Sequence, residues 1–197
     1  IAPHLINEFN TNAQQLGILT SSYLFAFAVF QIPLGILLDK YGARKVQIFL
    51  MIFAGLGSLM FCYGNSILEL TIARAIIGFG VAGCLMSTFK IITVWYNKNN
   101  WPILYGLCLS SGGLGAIVAT KPLYFIVDGI GWRSAFMILA GLCFFISFVI
   151  WMVTPENENA KEEKNILFAL KEIYSSKLFW RIAPLAGISG GTGLAIQ

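Results

Sequence analysis

Gly35-Ile-Leu-Leu-Asp39-Lys40-Tyr-Gly42-Ala-Arg44-Lys45 is a short polar connection between two long apolar runs, Leu16 to Leu38 and Val46 to Tyr63. A helix needs roughly 20 apolar residues to cross about 30 Å of hydrocarbon, so the connection joins two membrane-spanning helices. Gly42 supplies the tight turn that so short a link demands. Lys40, Arg44 and Lys45 mark this side as cytoplasmic, because short cytoplasmic loops collect cations. The Asp39 carboxylate can pair with those cations or face a helix N-terminus.

The rest of the composition agrees. Apolar residues make up 57% of the chain and charged residues 11%, with a mean hydropathy of +0.77, well outside the range of soluble domains. The sequence therefore predicts an all-α, polytopic helical membrane protein. By length, three further spans follow: Ile67 to Tyr96, Trp101 to Val127 and Trp132 to Val153. Ile1-Ala2-Pro3 reads as the outer end of an earlier span and Trp180 to Gln197 as the start of a later one, so a piece of a longer chain is expected. Residues 1–154 then form a helical bundle, 155–179 a cytoplasmic linker, and 180–197 the beginning of a second bundle.

The net charge of +4 is more informative by position than as a sum. Lys40, Arg44, Lys45 and Lys98 fall on one side with the charged stretch Glu156 to Lys164. The opposite loops carry His4, Glu8, Glu69, Asp128 and the cation Arg133. That asymmetry orients the bundle and argues against a nucleic-acid surface. Cys62, Cys84, Cys108 and Cys143 are scattered over four spans without paired spacing and read as small packing residues.

The spans differ in what chemistry they can hold. In the second, Thr20, Tyr23, Phe27 and Gln31 recur on one helical face, either to pack with local hydrogen bonds or to line a wet cavity. Arg74 lies roughly 10 Å into the fourth span, where a charge needs a partner, water or a reach back to the surface. Gly78, Gly80, Ala82, Gly83 and Ser87 on the same span let another backbone approach. Lys90, near its inner end, has the length to snorkel. Glu69 stands in capping-box spacing from Ser66. In the fifth span Gly112 and Gly115 gather on a packing side, while Lys121 and Tyr124 gather opposite. Beyond Pro155, Glu156 to Lys164 reads as a solvated linker, and Ile166, Leu170, Ile173 and Tyr174 as one face of a short interfacial or docking helix. No nucleophile with a matching base, metal cluster or cofactor loop stands out, so an enzyme is not expected.

The connection at Gly35, Asp39, Lys40, Gly42, Arg44 and Lys45 resembles the loop signature of the major facilitator superfamily of transporters, with every defining position filled. Arg74-Ala-Ile-Ile-Gly78 is similar to that family's fourth-span signature, with Ile77 where a Gln is usual. Asp128-Gly-Ile-Gly-Trp132-Arg133 resembles its fifth-to-sixth connection. The fifth span reads Ser111-Gly112-Gly113-Leu114-Gly115 with its proline later, at Pro122, and so departs from the family's antiporter pattern.

The resemblance implies the N-terminal six-helix bundle of a twelve-helix transporter, partnered by a C-terminal six-helix half and the lipid bilayer. It implies secondary active transport of a small solute by alternating access, or, on the same fold, a receptor that senses a solute and signals. Its localisation would be the plasma membrane, the inner membrane in a bacterium. Arg74 and Lys121, with Tyr23, Gln31 and Tyr124, are the candidate solute-binding residues, and two intramembrane cations favour an anionic solute. No cofactor is implied, and the coupling ion stays open because Asp39, Glu69 and Asp128 all lie near helix ends.

Overall fold

The computed structural model describes residues 2–155 together with Ser175, without the side chains of residues 2 and 121–124. The linker, the short helix after it and the last apolar stretch, residues 156–174 and 176–197, lie outside the described residues. What is described is helical: α1 (Ala2–Phe9), α2 (Ala13–Tyr41), α3 (Ala43–Tyr63), α4 (Ile67–Val81), α5 (Cys84–Trp95), α6 (Trp101–Val118), α7 (Lys121–Ile130) and α8 (Trp132–Val153). Five stretches are long and apolar enough to cross a membrane: α2, α3, the α4–α5 pair spanning Ile67–Trp95, Lys98–Val118 and α8.

Helix boundaries follow local chemistry. Asn12 caps α2 through a reciprocal box, its Oδ1 accepting from the Gln15 amide at 2.9 Å while Gln15 Oε1 accepts from the Asn12 amide at 3.1 Å. Ser66 Oγ accepts from the Glu69 amide at the start of α4, and Glu69 Oε2 accepts from the Asn65 amide at 2.9 Å, so this carboxylate is spent on the cap. Gly42 alone separates α2 from α3, and Gly131 alone separates α7 from α8. Both take the same extended, positive-φ conformation, φ 79° and ψ 153° for Gly42 and φ 83° and ψ 157° for Gly131, a region closed to residues with a Cβ.

Three segments differ from the sequence reading. The stretch expected to be an outer loop contains α1, whose Leu5 and Phe9, one turn apart, reach the core; Asn10 ends the helix at φ 50°. The fourth span is broken at Ala82–Gly83 rather than continuous. The fifth helix stops at Val118 instead of running to Val127: a proline at position 122 has no amide to donate to the Val118 carbonyl and in a continuous helix would clash with it, so the chain breaks at Ala119–Thr120 and restarts as α7, where a proline in the first turn is harmless.

α3 packs chiefly against α8 and α4, and α2 against α4. Two clusters form the interior. The outer one joins Leu5, Leu19, Phe61, Leu70, Ala73, Trp132 and Phe136; the inner one joins Leu34, Leu38, Ala43, Val46 and Leu50. None of the side chains of α6 is buried among the described residues, and its principal ring contact is Tyr105 on Phe89 of α5.

Candidate functional site

The loop motif engages four helices at one end of the bundle, α2 with α5 and α3 with α8. Asp39, in the last turn of α2, receives the Lys90 ammonium of α5 at 2.6 Å, so Lys90 is paired rather than simply reaching for the surface. Arg44, in the first turn of α3, donates to the Trp151 carbonyl, one of the terminal carbonyls of α8 that has no partner within its own helix. Lys40 lies over the Tyr41 ring. Both members of the Asp39–Lys90 pair are substantially exposed, so its contribution to folding is at most about 1 kcal/mol. Its leverage is on where α5 sits relative to α2. A Cβ on Gly35 would meet nothing within 4 Å among the described residues.

Midway along the bundle, α4 presses against its neighbours through glycine. A Cβ on Gly78 would stand 2.3 Å from the Tyr23 carbonyl oxygen of α2, and one on Gly80 would stand 2.4 Å from the Ala54 nitrogen of α3. At the break below them, Gln31 Nε2 donates to the Ala82 carbonyl at 3.2 Å, supplying a partner where the helical ladder is interrupted. Gln31 is therefore a bracket between α2 and the broken span. Tyr23 and Phe27 stack at 6.5 Å on the same face of α2. By contrast, Gly112 and Gly115 meet nothing within 4 Å: the packing expected there is not made among the described residues, because no described helix covers that side of α6.

Arg74 is partly buried beneath the outer end of α4. Its guanidinium carbon lies 4.9 Å from the Phe61 ring centre and 5.4 Å from that of Phe136. Nε is closed off and has no hydrogen-bond partner, and no acid pairs with Arg74 among the described residues. Tyr23 of α2 lies close enough to Arg74 for the two to interact electrostatically. Lys121 opens α7 directly after the break in the fifth span; the side chains of Lys121 and Tyr124 lie outside the described residues.

Above Arg74 stands a cluster that sequence reasoning missed. The Glu8 carboxylate accepts from the Trp132 indole at 2.9 Å and from Arg133 Nη1, while Arg133 also donates to the Cys62 and Gly64 carbonyls at the end of α3, at 3.2 and 3.1 Å. Arg133 holds the Glu8 carboxyl below its ordinary range through their hydrogen bond, desolvation works against it, and the Trp132 hydrogen bond and the Arg133 charge add to the lowering. One residue each from α1 and α8 thus closes the α3 terminus. The signal in the sequence was the Trp132-Arg133 pair directly after a corner glycine, opposite the lone acid of α1.

Stacked spans, single-glycine corners, small-residue contacts and an intramembrane cation define a multi-pass helical membrane protein, and no cluster of three metal-ligating side chains occurs among the described residues. The chain belongs to the Major Facilitator Superfamily, a family of transporters, whose family model matches residues 1–196. Over 141 residues it is 28% identical to a probable sulfoacetate transporter of Cupriavidus necator, covering 72% of this chain and 33% of that protein. It is 26% identical over 156 residues to the hexuronate transporter of Escherichia coli K12, covering 77% and 35%, and 26% identical over 149 residues to a D-galactonate transporter of Escherichia coli O6:H1, covering 75% and 34%. The chain thus spans about a third of the length of these relatives.

Proposed function

We propose that this chain is the N-terminal half of a secondary transporter that carries a small organic anion by alternating access, completed by a second helical half and working in the lipid bilayer. The observation that carries the anionic reading is Arg74: a guanidinium inside a membrane span, without an acid among the described residues to neutralise it. Such a charge costs at least about 2.5 kcal/mol at the centre of a span unless something compensates it, and an anionic solute would do so during each cycle. The solutes for which these relatives are named, sulfoacetate, hexuronate and D-galactonate, are all ionised at neutral pH, which favours the same class.

In this reading Arg74 supplies charge-assisted hydrogen bonds to a carboxylate or sulfonate. Lys121 offers a second cation, and Tyr23 and Tyr124 offer hydroxyls. Gln31 contributes through the bracket at Ala82 and so shapes the site instead of touching solute. The Asp39–Lys90 and Arg44–Trp151 contacts set the conformational equilibrium. The test is uptake of radiolabelled glucuronate, galactonate and sulfoacetate into proteoliposomes carrying the full-length protein. Arg74→Ala is expected to weaken binding about 10- to 100-fold, the worth of a lost charge-assisted contact. Unchanged affinity for every anion in folded Arg74→Ala protein would refute the anion site. Binding without uptake would mark a receptor.

A further inference from the structure

The outer end of the bundle contains a continuous aromatic column that ends on Arg74. Phe61 of α3 and Phe136 of α8 stack with ring centres 4.1 Å apart and planes inclined by 30°. Phe61 is fully buried and Phe136 is 5% exposed, so neither ring can move aside. Phe61 in turn meets Trp132 edge to face at 5.7 Å, and the Trp132 indole is fixed by its hydrogen bond to Glu8. The Arg74 guanidinium rests beside this stacked pair, within 5.4 Å of both ring centres.

The choice of rings is informative. A carboxylate in hydrogen-bond range would neutralise Arg74, occupy its donors and compete with any incoming anion. An aromatic face does something different: its quadrupole favours the cation while offering no lone pair, so the guanidinium is steadied without its N–H groups being used up. A leucine of similar volume would fill the space without that attraction. The closed-off, unpartnered Nε fits a side chain held beside the rings and not by a hydrogen bond at that nitrogen.

We propose that Phe61 and Phe136 are positioning residues for Arg74, standing in for a counter-ion and holding the guanidinium charged and undonated until an anionic solute arrives. This rests on the reading of Arg74 as the anion's partner. It adds that affinity for the anion is set by ring electrostatics supplied from α3 and α8, and that the column transmits the position of Trp132 to the site.

Graded fluorination of Phe136 in the full-length protein separates the two ideas, because fluorine drains the ring's quadrupole while nearly preserving its shape. Binding of glucuronate, galactonate and sulfoacetate should weaken stepwise from phenylalanine to its trifluoro analogue, by about three- to tenfold in total, and thermal stability should fall in the Arg74 background but not in Arg74→Leu. Affinity that ignores fluorination while Arg74→Ala abolishes binding overturns the positioning role and leaves the anion site standing. Affinity unchanged by Arg74→Ala, or no binding of any of the three anions to the unaltered protein, overturns the anion site itself. Equal loss of stability on fluorination with and without Arg74 overturns the ring–guanidinium contact whatever binds.

Discussion

Gly78→Ala is the sharpest test of how the bundle is held together. The added methyl carbon would lie 2.3 Å from the Tyr23 oxygen, 3.0 Å from its carbonyl carbon and 3.1 Å from its Cα. All three are backbone atoms, so no rotamer change relieves the contact; α2 and α4 must part by about 1 Å to restore ordinary van der Waals separation. The same interface carries Ser22 Oγ donating to the Thr71 carbonyl at 3.1 Å and Gln31 Nε2 donating to the Ala82 carbonyl at 3.2 Å, both with little length to spare. Overpacking costs about 1–3 kcal/mol and each weakened hydrogen bond about 1 kcal/mol, while alanine returns about 1 kcal/mol of helix propensity. The net is a destabilisation of about 2–4 kcal/mol, read as a lowered melting temperature of the full-length protein in detergent. Gly17→Ala on α2, where a Cβ meets nothing within 4 Å, is the control and should be neutral or mildly stabilising. Gly78→Ala protein as stable as the Gly17→Ala control would refute the close approach of the two backbones.

Asp39→Asn should slow transport while leaving equilibrium binding of solute within a few-fold, and Lys90→Gln should reproduce it, since both remove the same 2.6 Å pair; loss of binding in either folded variant would contradict a conformational role. Gln31→Leu strands the Ala82 carbonyl at the break and should cost about 1–3 kcal/mol in thermal unfolding, more than Thr20→Val, whose hydroxyl only returns to its own helix at the Leu16 carbonyl. Because the folded Glu8 carboxyl is held below its ordinary range, its stabilising contribution is complete above the ordinary carboxylate pKa of about 4.5 and fades as pH falls through the lowered folded value. A pH series of melting curves should therefore show an acid-side loss that Glu8→Gln removes, and an identical acid limb in that variant would show the clamp to be inert.

The membrane spans were legible because hydrocarbon thickness leaves a length signal, and the α2–α3 corner because a one-residue turn at positive φ admits only glycine. The breaks were harder. Pro122 announced the end of α6 by removing one amide, and hydropathy, blind to hydrogen-bond ladders, ran straight through it to Val127. The break at Ala82–Gly83 has no proline; its Ala82 carbonyl is met by Gln31, fifty-one positions away and recognisable as a partner only once the helices are packed. Gly78, Gly112 and Gly115 looked alike in sequence, yet only Gly78 meets a backbone among the described residues, because small size permits a close approach without specifying what approaches.

Arg74 shows most clearly what a linear reading leaves out. Its depth marks it as a costly charge, and the acid nearest to it in the chain, Glu69, is taken by the Asn65 amide at the start of the helix. Its neighbours are Phe61 and Phe136, which in sequence are ordinary apolar residues of two other spans, indistinguishable there from exposed phenylalanines such as Phe145, 63% exposed. Only the third dimension separates a ring that faces lipid from one that faces a cation. The same distinction sorts the charges of the chain. Glu69 is spent on a helix cap, Asp39 on Lys90 and Glu8 on Arg133 and Trp132, so each of these acids is consumed by the scaffold at a helix end. Arg74 alone among these groups is held by faces that ask for no proton or donor in return. Among the described residues, Glu8, Asp39 and Glu69 thus serve the scaffold and the Arg74 guanidinium is left without an acid, which is the arrangement the proposed anion site draws on.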